Sequence, residues 1–194
     1  MNSKDVIYNS GAPGAVNRTV QSKLSDIVSV KDFGAVGDGN HDDSEAFQKA
    51  VDSFNANSFA SIWGDGRLYI PKGRYKITKD IISKKGINYQ GEGVEISQIY
   101  IYNNASFFHD SKFVGSNEDA NQFSMNDIRI FVAENHNRSV LNLNFIDGAA
   151  VSDVNIRNVE VLGAHVSIKI HNALKLFNSR GKYLSLSDCS NIID

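Results

Sequence analysis

One stretch of the chain repeats its apolar residues with the period of an α-helix. Between residues 42 and 56, apolar positions recur every three or four residues, and polar residues fill the opposite face. Asp42 and Asp43 stand where an N-cap is expected, and Glu45 lies in the first turn, where a carboxylate favours the positive end of a helix. We therefore predict one amphipathic helix at about 42–56, whose apolar face comprises Ala46, Phe47, Ala50, Val51 and Phe54.

After this helix the pattern changes to short alternating segments. The predicted strands lie at 68–70, 75–77, 87–89 and 99–102, and turns rich in Gly, Pro and Lys separate them. Strands this short are not stable as isolated hairpins, so they must stack on further strands. The glycine-rich run at 34–39, before the helix, is predicted to be a loop.

The second half of the chain repeats itself. Residues 126–130 resemble residues 152–156 at a spacing of 26, and the same spacing carries Glu134 onto Glu160. Residues 154–156 resemble 184–186 at a spacing of 30, and a further apolar set recurs at 25. Repeats of this length, built from two-residue alternations, are typical of a solenoid of strands. The predicted inward positions are Ile128, Ile130, Val154, Ile156, Val159, Val161, Leu184 and Leu186, and the predicted outward positions are Asp127, Arg129, Asp153, Asn155, Glu160 and Ser185.

These patterns define an all-β fold, a parallel β-helix with an N-terminal capping α-helix. A solenoid has an open apolar end that must be covered, and the amphipathic helix stands just before the first strands. Residues 1–27 show neither a helical nor a strand periodicity. We interpret them as an extended arm or linker with room for a short anchoring peptide. The coils are expected to occupy residues 28–194 and to continue in further coils, because the repeat is interrupted at Asp194.

Composition narrows the classes of function. With 20 Lys and Arg against 22 Asp and Glu, the net charge is −2, which gives no basic surface for nucleic acid. No apolar run is long enough to predict a transmembrane helix, and residues 1–14 lack the apolar stretch of a secretory signal. A single cysteine, Cys189, cannot form an intramolecular disulfide. We therefore expect synthesis in a cytoplasm, without a membrane or nucleic-acid partner.

Three segments resemble a known group of proteins. Residues 30–51, from Val30-Lys-Asp-Phe-Gly-Ala through Asp42-Asp-Ser, are similar to the opening of the pectate-lyase-like β-helix superfamily, which includes exopolygalacturonases and phage depolymerases. Residues 18–26 resemble the linker that enters the β-helix of bacteriophage tailspike and tail-fibre proteins, and residues 183–191 resemble one of their coils. The resemblance implies a right-handed β-helix, a homotrimer, a place on the virion tail and contact with capsule, O-antigen or exopolysaccharide.

The function expected from this resemblance is that of a phage receptor-binding protein. In full length it would recognise and depolymerise bacterial surface polysaccharide, and residues 1–27 would dock onto a tail adaptor protein. Two alternatives stay open. One is a non-enzymatic tail module, either adaptor or receptor-binding. The other is a cellular pectate-lyase-like or polygalacturonase-like enzyme, against which the linker and the absent signal argue.

Candidate chemistry lies on the outward positions of the coils. Glycoside cleavage commonly uses two carboxylates, and residues one coil apart stack at about 4.8 Å. The repeat spacing predicts two such columns, Asp127 with Asp153 and Glu134 with Glu160, although outward carboxylates also serve solubility alone. The candidate sugar-binding residues are Arg129, Arg138, Tyr100 and Tyr102, and Phe131 and Phe177 are further exposed aromatics.

No metal or cofactor is predicted. Residues 38–42 resemble the first half of a calcium-binding loop. A functional loop needs Gly at its sixth position and Glu at its twelfth, where this chain has Asp43 and Lys49. The five histidines have no metal-ligand spacing. A tight turn followed by a helix cap explains the acidic run without a cation.

Overall fold

A computed structural model describes residues 2–56, 66–83, 87–110, 122–133, 137–144, 150–151, 153–163, 166–171, 175–176, 180–187 and 191–193. The helices are α1 (Val20–Leu24), the 3-10 helix Val30–Phe33 and α2 (Ser44–Ala56). The strands are β1 (Ile7–Tyr8), β2 (Arg18–Thr19), β3 (Val28–Ser29), β4 (Asp38–Asp42), β5 (Gly66–Tyr69), β6 (Gly73–Ile77), β7 (Ile81–Ser83), β8 (Ile87–Gln90), β9 (Ser97–Ile101), β10 (Phe107–Asp110), β11 (Gln122–Val132), β12 (Ser139–Asn144), β13 (Ala150–Val151), β14 (Asp153–Leu162), β15 (Val166–His171), β16 (Lys175–Leu176), β17 (Arg180–Ser187) and β18 (Asn191–Ile193).

The strands wind into parallel coils with three faces. The first face stacks β3, β5, β8 and the start of β11, and the second stacks β4, β6, β9 and the end of β11. The long strands β14 and β17 continue both faces, and the third face stacks β7, β10, β12, β15 and β18. Every pair within these faces is parallel, so each coil passes the three faces in turn. This is the stacked solenoid that the short strands and the repeats predict.

The interior of the coils is filled by the apolar residues of each strand. Ile128, Ile130, Val159 and Val161 are completely buried, and Ile156 is 6% exposed, which confirms five of the predicted inward positions. The side chains of the other three, Val154, Leu184 and Leu186, lie outside the described residues. Burial of alternate residues is what a strand requires when one of its faces is the core.

Helix α2 closes the first coil as predicted. Its apolar face is buried, with Phe47, Ala50 and Val51 fully inaccessible to solvent. The Phe47 ring meets the ring of Tyr75 edge-on, at 5.4 Å between centroids. Helix α2 follows β4 in the first coil, at the position where later coils place a strand of the third face. The capping role predicted from its amphipathic pattern is therefore consistent with its packing.

The side chain of Gln48 completes the exposed edge of the third face. Its amide oxygen accepts from the backbone N–H of Ile82 at 2.8 Å, and its amide nitrogen donates to the Ile82 carbonyl at 3.2 Å. An amide side chain thus stands in for the missing neighbouring strand of β7, the terminal strand of that face. Unpaired strand edges invite pairing with other chains, so this contact also protects the edge.

Replacing Gln48 with alanine is expected to lower the free energy of unfolding by about 1–2 kcal/mol, because two hydrogen bonds are lost at a site that water reaches. The sharper readout is local, since the Ile82 amide loses its acceptor and should exchange with deuterium faster. A Gln48→Glu variant keeps an acceptor for that amide and should retain more of its protection. Unchanged exchange at Ile82 in Gln48→Ala would contradict the edge-capping role.

The helix begins at Ser44, which places Asp43 at the N-cap position, where its backbone carbonyl accepts from the Phe47 amide at 3.0 Å. The Asp42 carboxylate accepts from the backbone N–H of Ser44 at 3.1 Å and from the hydroxyl of Thr78. Asp43 is completely buried, and its carboxylate accepts from the backbone N–H groups of Val36 and Gly37 at 2.7 and 3.2 Å. The pair therefore fastens the preceding segment and the neighbouring coil to the start of the helix.

The predicted repeat spacings are wrong. Ile128 pairs with Val159, 31 residues later, and Val159 pairs with Leu184, 25 residues later. Leu141 pairs with Ile168, which gives 27 on the third face. Coils differ in length because the turns between faces differ, so a fixed spacing either aligns residues from different faces or shifts the register within one face.

Several local expectations also change. The loop predicted at 34–39 ends early, since strand β4 begins at Asp38 and pairs with β6. Strands β7 and β10 were not predicted. The arm contains the antiparallel pair β1–β2 and the short helix α1, where the Thr19 hydroxyl accepts from the Ser22 amide. A five-residue helix is too short to show a hydrophobic period, so its cap is its only sequence signal.

Candidate outer-face site on the second face of the coils

Two columns of side chains run across the outer side of the second face. Strand pairing sets Arg74 beside Gln98, Gln98 beside Arg129, and Arg129 beside Glu160. In the second column, strand pairing sets Lys76 beside Tyr100, Tyr100 beside Phe131, and Phe131 beside Leu162. Alternation within each strand sends Tyr75, Ile99 and Ile130 inward and these columns outward, although Gln98 is covered by its neighbours and only 8% exposed. Three of the predicted site residues, Tyr100, Arg129 and Glu160, therefore share one surface.

Tyr100 and Phe131 form an aromatic strip on this surface. Their rings stack at 4.7 Å between centroids and 18° between planes, and both are partly exposed. The Tyr100 hydroxyl donates to the Gln98 side chain at 3.2 Å. Tyr102 is 37% exposed, and the Lys76 ammonium lies 5.5 Å from the centre of its ring. Because stacked rings cover each other's facing sides, the strip offers solvent its remaining apolar ring surface and the polar edge at the Tyr100 hydroxyl.

Arg129 is held between two carboxylates. Its Nε donates to Glu160 at 2.6 Å, and its two terminal nitrogens donate to both oxygens of Glu95. These hydrogen bonds raise the pKa of Arg129, and the guanidinium holds the pKa of Glu95 below its usual value. The side chain of Arg129 is only 15% exposed, and its guanidinium lies 5.8 Å from the Phe131 ring centre. We call Glu95, Arg129 and Glu160 the arginine clamp. Its two ion pairs hold Arg129 in place in the column of side chains beside the aromatic strip.

Asp127 lies at the corner between the first and second faces. It adopts a left-handed backbone conformation with φ of 57°, as does Asn158 in the next coil with φ of 50°. Its two carboxylate oxygens accept from the side-chain amides of Asn158 and Gln90, at 2.7 and 2.8 Å. The three residues form a corner ladder across three successive coils, which gives Asp127 a structural role.

The predicted carboxylate columns are both wrong in register. Asp153 pairs with Gln122 rather than with Asp127, and Glu160 pairs with Arg129 rather than with Glu134. Glu134 and the side chain of Asp153 lie outside the described residues. The catalytic assignment of these carboxylates stays a prediction, without the one-coil spacing that motivated it. Asp127 and Asn158 place the same corner in both coils, so β11 and β14 each hold two alternating runs, and the predicted spacing matched the run after one corner to the run before the next.

Arg138 lies away from the outer side of the second face. Its guanidinium donates to both oxygens of Asp80, at 3.0 to 3.2 Å, and to the backbone carbonyl of Asn104. The Asp80 carboxylate also accepts from the Ser106 amide. These bonds tie three coils at the turn leading to the third face, so Arg138 is engaged by the protein itself. The structure brings Arg129, Tyr100 and Tyr102 together on the second face and separates Arg138 from them.

Neither a metal site nor a membrane helix emerges from the described part of the chain. Within it, no three His, Cys, Asp or Glu side chains gather as ligands. The Asp38 carboxylate accepts from the backbone N–H groups of Asn40 and His41, both at 2.8 Å, which accounts for the acidic run by a turn. None of the described helices has the length and hydropathy to cross a membrane.

Sequence reasoning missed the two cations that flank the strip, Arg74 and Lys76, and the clamp residue Glu95. The alternation Arg74-Tyr75-Lys76 carried the signal for the first two, since a buried Tyr75 forces both neighbours outward. Glu95 lies in the turn before β9, and its contact with Arg129 spans 34 residues. No pattern among neighbouring residues in the sequence predicts a contact over this distance along the chain.

The three-faced parallel coils, closed at one end by a helix, define a parallel β-helix protein. The chain belongs to the family described as rhamnogalacturonase A/epimerase, pectate lyase-like, whose profile matches residues 27–191. The predicted right-handed β-helix fold and the predicted superfamily are thereby confirmed.

Curated relatives match short parts of the chain. Plasmin and fibronectin-binding protein A of Streptococcus pneumoniae is 41% identical over 70 residues, which is 36% of this chain and 9% of that protein. The tail spike protein of Shigella phage Sf6 is 33% identical over 85 residues, 42% of this chain and 13% of that protein. The matched regions are thus small fractions of both relatives.

Solved structures of phage tailspikes share the fold over nearly the whole chain. Tailspike protein 3 of bacteriophage CBA120 aligns with a TM-score of 0.60 at 21% identity, covering 96% of this chain and 33% of that one. A tailspike mutant of E. coli bacteriophage HK620, solved in complex with a pentasaccharide, aligns at 0.53 with 15% identity, covering 96% and 34%. The chain therefore spans about a third of these structures.

Proposed function

We propose that this chain is the N-terminal part of a tailspike-like protein that binds bacterial surface polysaccharide through the outer side of its second face. The observation that carries the proposal is the stacked pair Tyr100 and Phe131, which spans adjacent coils and stays partly exposed. Sugar rings have apolar faces that pack on the exposed surface of aromatic side chains, while their hydroxyls bond to polar groups at the rim, such as the Tyr100 hydroxyl here. The pentasaccharide in the HK620 tailspike mutant supports an oligosaccharide as the proposed ligand class.

The proposal includes assembly and location. The protein forms a homotrimer on a virion tail, and residues 1–27 anchor it to a tail adaptor protein. Support comes from the arm, where Ile7, Val16, Leu24 and Ile27 are each more than half exposed and available for burial. Light scattering of the full chain checks the oligomer, because a monomer at micromolar concentration contradicts the trimer for this part of the protein.

A non-enzymatic binding module is the second candidate for these coils. The observation favouring it is that both described candidate carboxylates are engaged, Glu160 by Arg129 and Asp127 by Gln90 and Asn158. A cleaving pair needs one carboxyl free to donate a proton. Depolymerisation by the full-length protein would then use other coils. Incubation with capsule, O-antigen or exopolysaccharide decides between the two candidates, since new reducing ends or unsaturated-uronate absorbance exclude a pure binder.

Replacing Tyr100 and Phe131 together with alanine is expected to weaken polysaccharide binding about tenfold, since an aromatic contact contributes about 0.5–1.5 kcal/mol beyond its buried area. Titration of the full chain against a panel of bacterial surface polysaccharides measures the change. A Tyr8→Ala variant removes an exposed ring from the arm and is the matched control, with unchanged binding. Equal affinity of the double variant and the unaltered chain would exclude the strip as the binding surface.

A further inference from the structure

We infer that Arg18 fixes the N-terminal arm in one conformation at the entrance to the coils, so that the arm docks as a preformed unit rather than as a flexible tail. The inference rests on the proposed function only for what the arm docks onto, because the fixed conformation is a property of the free chain. We call Arg18, Ser22 and Asp26 the arm latch.

The arm has no apolar core of its own. Residues 2–27 include no buried residue, and Val16 and Leu24 are 74% and 69% exposed. The two strands of the arm pair over only two residues each, and helix α1 has only five residues. Hairpins and helices this short are not stable on their own. Polar contacts must therefore hold the conformation of the arm.

The guanidinium of Arg18 joins three parts of this segment. Arg18 belongs to β2, and its two terminal nitrogens donate to the two carboxylate oxygens of Asp26, at 2.8 and 2.6 Å. One of these nitrogens also donates to the Ser22 carbonyl at 2.6 Å, and Nε donates to the Ser22 hydroxyl at 3.3 Å. Ser22 lies in α1, and Asp26 lies two residues before β3. A single side chain thus connects the hairpin, the helix and the chain that enters the first coil.

The geometry of this ion pair differs from that of an ordinary surface pair. Exposed pairs contribute little unless the contact is bidentate or belongs to a network. The Arg18–Asp26 contact is bidentate, and the planar guanidinium binds a backbone carbonyl as well. Hydrogen bonding to Arg18 is the main cause that lowers the pKa of Asp26 to about 2. Lys23 approaches the same carboxylate with one contact at 3.5 Å, so it provides a matched comparison.

The arm latch holds two exposed apolar residues in a fixed relation to each other. Leu24 is the last residue of α1, and Ile27, which is 53% exposed, follows Asp26 directly. The Ile27 amide donates to the Leu24 carbonyl at 3.4 Å. A surface that is already ordered loses less conformational entropy on binding than a flexible segment does. The latch therefore favours docking of these two side chains onto a tail protein.

Solvent exchange of backbone amides, measured by NMR on the full chain, tests the latch without any partner. In Arg18→Gln, the amides of Ser22 and Ser25 should exchange about ten times faster, because the carboxylate and carbonyl contacts are lost together. The pKa of Asp26 should rise from about 2 towards its ordinary value. Arg18→Lys should restore only part of the protection, since an ammonium lacks the planar fork that binds both groups. The control Lys23→Gln removes one charge beside the same carboxylate and should change the exchange rates less than about twofold.

The outcomes separate the latch from the proposed anchoring role. Unchanged exchange in Arg18→Gln overturns the latch. Equal effects of Arg18→Gln and Lys23→Gln overturn the assignment to Arg18, because any positive charge beside Asp26 would then suffice. Full protection in Arg18→Lys overturns the bidentate geometry as the cause. Virions that retain the full-length protein after deletion of residues 1–27 would contradict the anchoring role and leave the latch intact. Amides of the buried strands, such as that of Ile99, should exchange at the same rate in every point variant, because the coils stay folded.

Discussion

Replacing Phe47 with alanine is expected to lower the free energy of unfolding by about 3–5 kcal/mol, a large part of the stability of a domain of this size. Phe47 is completely buried and contacts the ring of Tyr75 inside the first coils. Its removal leaves a cavity between the capping helix and the solenoid, and the fixed coils cannot collapse to fill it. Urea unfolding followed by circular dichroism measures the loss.

The matched control lies two residues further along the same helix. Lys49 is exposed, and Lys49→Ala should change the unfolding free energy by no more than about 0.5 kcal/mol. The contrast matters because a helix that merely lay on the surface would tolerate both substitutions. A loss below about 1 kcal/mol in Phe47→Ala would show that α2 does not seal the end of the coils.

The fold was predictable where the evidence is local. The buried face of α2 follows from residues three and four apart, and strands β5, β6, β8 and β9 follow from alternation bounded by turns. The register was not predictable from a fixed spacing, because it depends on corners. At Asp127 a single left-handed residue lets Met125 and Ile128 both face inward, although they are three residues apart. Pattern matching that assumes unbroken alternation therefore compared the wrong faces.

The candidate site was likewise predictable only in its local features. Alternation predicts that Arg129 and Glu160 point outward, and their strands confirm that orientation. What alternation cannot supply is the identity of the neighbour in the next coil, which decides whether Arg129 is a sugar ligand or part of a clamp. Glu95 completes the clamp from a turn, and turn residues carry no period. The sequence thus identifies outward residues and leaves their partners to the three-dimensional register.

Substitutions at Asp127 test the corner ladder, because the glycine variant is expected to be more stable than the alanine variant. Asp127→Ala is expected to lower the free energy of unfolding by about 2–4 kcal/mol, because alanine tolerates a left-handed backbone poorly and leaves two side-chain amides without their acceptor. Asp127→Gly loses the same hydrogen bonds but adopts the backbone conformation freely, so it should be about 1 kcal/mol more stable than the alanine variant. At ordinary strand positions glycine is the more destabilising of the two.

Asp127→Asn separates this structural role from chemistry. Asparagine accepts the left-handed conformation and keeps one acceptor in the ladder, so the loss of stability should be about 1 kcal/mol. If Asp127 acts only as a corner residue, any cleavage measured on a longer chain that includes these coils should survive in Asp127→Asn. Loss of cleavage in that variant, at nearly unaltered stability, would instead assign the carboxylate a catalytic role. An alanine variant more stable than the glycine variant would contradict the left-handed corner itself.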